Sequence, residues 1–301
     1  MKNNSQLDSN KKSSPSCGVF LKRLPGAMLA WLLCTLTAGQ AQTWSLTVLH
    51  SFSLPPFAAD SVQPRSLTPG SDGNFYGTTG WGGNGAKGTV FKLSASGMVT
   101  TLAEFNGTNG ANPYDALTAG NDGNFYGTTV GGGSNNQGTV FKVTTNGTLT
   151  RLVSFDDTTG KWPDAKLTLG PDGNFYGTTT SGGPGYNGTI FKVTTNGTLS
   201  VVASFDGSNG ADPESPLTLG SDGNFYGTTT IGGNGNYGTI FKVTPNETLT
   251  TLVSFNLTNG AYPFATLTQG NDGNFYGATQ VGGSGNSGTI FKMTTNGVLS
   301  T

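Results

Sequence analysis

Charge is scarce in this chain. Only 10% of its 301 residues are charged, and the 15 basic and 16 acidic groups nearly cancel, leaving a formal −1. That excludes a coiled coil, whose seam needs flanking charges, and a nucleic-acid surface spread over the whole chain. Histidine is equally short, with His50 alone, and the two cysteines are Cys17 and Cys34, which leaves little for metal or thiol chemistry. The longest apolar run, Gly26 to Ala38, falls short of the roughly 20 residues that a membrane-spanning helix needs. In abundance are 49 glycines, 18 Phe, 9 Tyr and 4 Trp, with 34% apolar residues overall. That composition supports a packed core and argues against disorder.

The N-terminus reads as a targeting segment. Lys2, Lys11, Lys12, Lys22 and Arg23 precede the apolar run, and the small residues Gly39 and Ala41 stand three and one before a cleavage point. Residues 1–41 are therefore expected to be a secretory signal peptide. Residues 42–301 are the expected mature domain, located outside the cell or on its surface, with no membrane span and no nucleic-acid partner. Removing the leader takes five of the 15 basic residues and one of the 16 acidic ones, leaving 10 against 15, net −5. Both cysteines leave with it, so the domain folds without a disulfide.

Repetition organises the rest. The string DGNFYG begins at Asp72, Asp122, Asp172, Asp222 and Asp272, a period of 50 residues. Gly-Thr-(Val/Ile)-Phe-Lys keeps the same period from Gly88, Gly138, Gly188, Gly238 and Gly288, as does a Phe at Phe105, Phe155, Phe205 and Phe255. Phe52 is set off by three extra residues. In the third copy, strands are expected at Lys166–Leu169, Asn174–Thr179, Thr189–Thr194 and Thr198–Phe205. They are separated by the Pro171-Asp172-Gly173 turn, a Gly-rich loop and the Asn196-Gly197 hairpin. No stretch shows apolar residues at helical spacing without a Gly or Pro in it. Four antiparallel strands per copy make a propeller blade. The fold class is all-β, a β-propeller of five four-stranded blades, open to being part of a larger propeller. Blades pack face to face, so both faces of the middle strands must be apolar. Pairs such as Phe175-Tyr176 and Ile190-Phe191 supply this, which assigns most of the aromatics to the core.

The pattern LTxGxDGNFYGTTxxGGxxxxGT(V/I)FKxTxxGxLTxLxSF, kept through the copies with few departures such as Ala278, resembles the Gloeo/Verruco repeat of secreted bacterial tandem-repeat proteins. The resemblance implies export and tandem blades, commonly with a surface anchor after the repeats, and brings no established activity. In plan the chain is also similar to streptogramin lyases, whose propeller uses His and Glu with magnesium. His50 has no counterpart in the other copies and no Glu at a matching spacing, so that constellation is missing.

Other motifs reduce to structure. Gly83-x-Gly85-x-x-Gly88 matches a dinucleotide fingerprint, but it recurs in other copies and leads into a strand instead of a helix. The recurring Asp of DGN is explained by a turn in which its carboxylate accepts nearby N–H groups; one Asp per copy is a poor calcium cage. No cofactor, metal centre or catalytic residue is expected. The acids Asp115, Asp164, Asp212 and Glu214 are the only source of a carboxylate pair for a loop-based hydrolase.

Topology separates constant from variable parts. The GxDG and TxNG turns lie at one end of each blade and barely change. The Gly-rich loop and the connection to the next blade lie at the other end and differ in every copy. That end carries Trp81, Tyr114, Trp162, Tyr186, Tyr237, Tyr262 and Phe264. Varied aromatics on one rim of a fixed scaffold form a recognition face, expected to take a carbohydrate or protein ligand. Leu46–Phe52 matches the fourth strand of a blade, so this reading favours closure of five blades by that strand over a longer array.

Overall fold

The computed structural model of the chain describes residues 45–52 and 62–301. The segment read as a signal peptide, with Cys17 and Cys34, lies outside the described residues. Blade 1 is β1 (Val62–Pro69), β2 (Phe75–Trp81), β3 (Thr89–Leu93) and β4 (Val99–Glu104). Blade 2 is β5 (Thr118–Ala119), β6 (Phe125–Thr129), β7 (Thr139–Val143) and β8 (Leu149–Ser154). Blade 3 is β9 (Thr168–Leu169), β10 (Phe175–Thr179), β11 (Thr189–Val193) and β12 (Leu199–Ser204). Blade 4 is β13 (Thr218–Leu219), β14 (Phe225–Thr229), β15 (Thr239–Val243) and β16 (Leu249–Ser254). Blade 5 is β17 (Thr268–Gln269), β18 (Phe275–Ala278), β19 (Ile290–Met293) and β20 (Leu299–Ser300). Each blade is an antiparallel meander in chain order. No helix among the described residues is long and apolar enough to cross a membrane.

The strands fall within two residues of those expected. The largest difference is β9, which is two residues shorter because the Leu167 carbonyl is used elsewhere: it accepts the Thr118 hydroxyl of the preceding blade at 2.5 Å. The same bond recurs as Thr68 to Leu117, Thr168 to Leu217 and Thr218 to Leu267, each at 2.6 Å, so the innermost strands are stitched blade to blade.

The FYG pair explains how blades stack. Neighbouring residues on a strand face opposite ways, so the Tyr of one blade meets the Phe of the next. Tyr126 stacks on Phe175 with centroids 4.0 Å apart, and the pairs Tyr76–Phe125, Tyr176–Phe225 and Tyr226–Phe275 repeat this at 4.1 to 4.2 Å. Phe155 meets Phe191 edge-on at 4.9 Å. Each of the four core clusters is thus shared by two adjacent blades. The assignment of these aromatics to the core holds.

Closure does not. Ile290 is 80% exposed, whereas its counterparts Val90, Val140, Ile190 and Ile240 are fully buried. Phe75 on the leading face of blade 1 and Tyr276 on the trailing face of blade 5 are each 38% exposed. Residues 45–52 pair with no strand and do not complete blade 5. They lie instead against blade 1, with the Leu49 carbonyl over Gly97 and Phe52 edge-on to Phe91 at 5.4 Å. Leu102 sits in the same way over Gly147, and Phe105 against Phe141. The segment therefore takes the place of a preceding blade's fourth strand. Among the described residues the five blades form an open arc.

One departure from the repeat has an energetic consequence. The hairpin after the third strand needs a left-handed residue, filled by Gly97, Gly147, Gly197 and Gly297 at φ near 90°, but blade 4 has Glu247 there at φ 66°. Glu247→Gly relieves that strain at some cost in unfolded-chain entropy, so the expected net gain is about 0.5 to 1 kcal/mol in chemical denaturation.

Candidate functional site

At the constant end, each turn consumes its own carboxylate. Asp122 accepts the Asn124 backbone N–H at 3.1 Å, the Asn124 amide at 2.7 Å and the Tyr126 hydroxyl at 2.8 Å. The other four copies repeat the three bonds. In the exposed turn of Asp272, the bonds from Asn274 and Tyr276 hold the carboxyl down at about 2. This is the turn function expected from the sequence. Among the described residues no group of three or more His, Cys, Asp or Glu is placed to hold a metal ion.

The variable end is built differently. In each blade connection one residue ties two Gly-rich loops together. The Trp162 N–H donates to the Gln137 carbonyl of the previous blade's loop at 2.9 Å, and its own carbonyl accepts from Thr180 of the next at 3.3 Å. Asn112, Asp212 and Tyr262 make the same two bonds. All four are left-handed, at φ 57°, 59°, 58° and 55° for Asn112, Trp162, Asp212 and Tyr262. Tyr186, in the Gly-rich loop of blade 3, is also left-handed at φ 57°. Bulky residues rarely adopt this conformation, but Ala86, Asn136, Asn236 and Asn286 are left-handed at the repeat position of Tyr186, so the backbone path of the repeat imposes it whatever the side chain. Sequence reasoning did not find this. The available signal was the Gly-x-x-Pro spacing Gly110–Pro113, Gly160–Pro163, Gly210–Pro213 and Gly260–Pro263, which marks a fixed backbone path around a free side chain.

All seven aromatics singled out from the sequence stand on this rim, in two states. Trp81, Tyr114, Trp162, Tyr186 and Phe264 are exposed. Arg65 covers one face of the Tyr114 ring at 4.1 Å, and the Lys161 ammonium lies 5.3 Å from the Trp162 ring while paired with Asp157 at 3.1 Å. Tyr237 and Tyr262 are half-buried and pack edge-on against each other at 6.1 Å. They brace the rim between blades 4 and 5.

Towards the axis the rim turns acidic. Burial, then the charges of Glu214, Asp115 and Asp212, pushes the Asp164 carboxyl up to about 7, and one of its oxygens is buried with no hydrogen-bond partner. Burial also raises Asp212, and burial and Asp212 raise Glu214. Asp115 is fixed by the N–H groups of Ala116 at 2.6 Å and Lys166 at 2.9 Å. Beside it an open depression of about 500 Å³ is lined by Ser66, Asp115, Lys166, Leu167, Pro216 and Thr266, residues drawn from all five blades. It is the axial channel of the arc.

The sign of the pH effect follows. The native pKa of Asp164 lies above its unfolded value near 4, so native Asp164 holds its proton where unfolded Asp164 has lost it. Its contribution to stability is present below pH 4 and is lost as pH rises towards 7. Asp164→Asn, which keeps the shape without the charge, is expected to stabilise the chain by about 2 kcal/mol at pH 8 and to change little at pH 4, read by urea denaturation at both values.

The profile of the Gloeobacter/Verrucomicrobia repeat matches residues 33–221 and again 165–301. Comparison with curated proteins gives no match. Virginiamycin B lyase from Staphylococcus aureus superposes with a TM-score of 0.55 at 19% identity, over 79% of this chain and 69% of the lyase. The GH74 enzyme of Niastella koreensis gives 0.54 at 17%, over 79% of this chain but 38% of the enzyme. A gluconolactonase, XC5397 from Xanthomonas campestris, gives 0.50 at 12%, over 79% and 75%. At such identities the likeness is one of fold, and the shared fold is the propeller.

Proposed function

Because the chain belongs to the Gloeobacter/Verrucomicrobia repeat family and keeps its variation to one rim, we propose that it is an exported, non-catalytic binding propeller whose variable rim takes a carbohydrate. The observation that carries this reading is the set of exposed rings Trp81, Tyr114, Trp162, Tyr186 and Phe264 at one end of a frame whose repeated Phe and Tyr are buried between the blades, apart from Phe75 and Tyr276 on the two outer blade faces. Flat apolar faces beside carboxylates and amides suit a sugar, whose ring has a C–H face and a hydroxyl edge. The scaffold stays rigid because each loop is tied to its neighbour, so little order has to be gained on binding.

The test is a glycan array followed by calorimetric titration of the best oligosaccharide. Trp162→Ala with Trp81→Ala is expected to weaken affinity by about 30-fold or more, with the melting temperature nearly unchanged because both rings are exposed. Unchanged affinity would remove the rim from consideration. A protein ligand instead of a glycan would show as an empty array with capture of a defined partner that the same double variant abolishes.

One observation favours a second reading, glycoside hydrolysis: Asp164 is poised near neutrality with the Glu214 charge acting on it, as a general acid beside a second carboxylate requires. Release of reducing sugar from the bound oligosaccharide, lost in Asp164→Asn with binding retained, would select that reading.

A further inference from the structure

Buried hydroxyls on the second strands are spent on carbonyls of the next blade connection, with one exception. Thr78 and Thr128 donate to the Asp115 and Ala165 carbonyls at 3.1 Å each, and Thr228 reaches the Pro263 carbonyl at 3.4 Å. Thr178 holds the same position in blade 3 and is 1% exposed, so its hydroxyl points at the connection that carries Glu214, yet it has no partner there. Thr230, buried on blade 4, lies beside the Glu214 carboxyl, and its hydroxyl also lacks a partner in hydrogen-bonding geometry. A third such atom is the buried oxygen of Asp164, on which the Glu214 charge acts more strongly than any other. Thus three of the four unpartnered buried side-chain oxygens among the described residues border one junction, that of blades 3 and 4. Such atoms are rare in folded proteins, and three together call for polar groups from outside the chain.

The charge at this junction is of one sign. The repeat position of Asp164 and Glu214 carries Tyr114 and Phe264 in the neighbouring copies, so the two carboxylates meet at this junction alone. Asp212 adds a third, at the repeat position of Trp162. Among the described residues the one ion pair is Lys161 with Asp157, so none of these three acids is paired with a cation. Asp115, by contrast, is met by two backbone N–H groups. Crowded, partly buried carboxylates favour a ligand that brings the opposite charge. No three of them are placed to hold a metal ion. An ammonium group suits them better, because its three N–H donors can be shared between two carboxylates and a hydroxyl. Exposed rings stand alongside. Trp162 is two residues before Asp164, and Tyr186 precedes Asn187, whose carbonyl accepts the Asp212 N–H at 3.1 Å.

We propose that the junction of blades 3 and 4 selects amino sugars: the ammonium group of a 2-amino-2-deoxy sugar sits against Asp164 and Glu214, with the sugar ring on Trp162. The inference rests on the carbohydrate reading of the rim and names the class of sugar it takes. Acidic and sulfated glycans are excluded by the same carboxylates, and neutral ones leave them without a counter-charge.

Calorimetric titration at pH 7 with a β-linked glucosamine tetramer and with its N-acetylated form tests this, since the two share ring and linkage and differ in charge. The wild-type chain is expected to bind the free amine at least about tenfold more tightly. Glu214→Gln keeps the shape and is expected to bring the two affinities within about threefold, whereas Glu247→Gln, the same charge change in an exposed hairpin at the constant end, leaves the preference intact. Trp162→Ala should weaken both tetramers alike. Equal wild-type affinities, a preference for the N-acetylated form, no binding of either tetramer, or a preference that survives Glu214→Gln overturns the proposal. Equal loss in Glu247→Gln does so too, by reducing the preference to overall charge, as does calcium binding that Glu214→Gln abolishes. The rim reading fails separately: it falls if Trp162→Ala with Trp81→Ala leaves the affinity for every array-selected glycan unchanged, and it stands if neutral glycans bind through those rings without any preference for the amine.

Discussion

Glutamate at Ile190 is expected to lower the thermal midpoint by roughly 10 °C or more, while the same change at Ile290 leaves it within about a degree. The two residues hold the same position in the repeat, one hundred residues apart. Ile190 is fully buried against blade 4, in the cluster of Tyr176, Phe205, Phe225 and Phe241. A carboxylate there loses its water, finds no cation, and costs about 4 kcal/mol or more even if it takes up a proton. Ile290 is 80% exposed, so its carboxylate stays hydrated and the substitution removes little burial. Differential scanning fluorimetry reads both. Equal losses at the two sites would mean that blade 5 is covered and the arc closed.

Gly138→Val carries the second large effect. Gly138 sits at φ 103°, and a Cβ there comes within 2.5 Å of both the Thr129 carbonyl oxygen and Cδ of Pro163. Its N–H and carbonyl are engaged with the Gly132 carbonyl and the Phe155 N–H, so the backbone cannot turn away without breaking both bonds. Left-handed strain in a β-branched residue and the overlap together amount to about 3 to 5 kcal/mol. Pro163 follows Trp162, so the damage reaches the rim, and ligand affinity should fall with stability. The control is Gly123→Ala. Its φ is 76° but nothing lies within 4 Å of the added Cβ, so about 1 kcal/mol of strain is all that is expected. Urea denaturation of the two variants separates strain from overlap. Equal losses would contradict the close approach at Gly138.

The two comparisons also show what the sequence could and could not carry. The period of 50, the four strands per copy and the opposed faces of the FYG pair were legible because each rests on residue type at fixed spacing. Closure was not, because a repeat writes the same Tyr at Tyr76 and Tyr276 whether or not a blade stands behind it, and only burial tells them apart. The N-terminal strand was recognised as a fourth strand, but its pattern says nothing about which blade it joins. At the rim, alternation along the meander was enough to bring all seven aromatics to one end. The left-handed backbone of Trp162, Tyr186 and Tyr262 could not be foreseen, since side chains of that size argue against it. The coupling of Asp164 to Glu214, Asp115 and Asp212 was also hidden. Those four acids come from three blade connections, and only the curvature of the arc brings their charges together.

Recognition is expected at the variable rim of the fixed scaffold. Its most direct test is amide chemical-shift mapping of the isotope-labelled chain, titrated with the oligosaccharide that the array selects. Shifts are expected in the Gly-rich loops and blade connections, strongest around Trp81, Trp162 and Tyr186, with the DGN turns at the opposite end unmoved. Shifts centred on the DGN turns, or spread evenly over both ends of the blades, would contradict it.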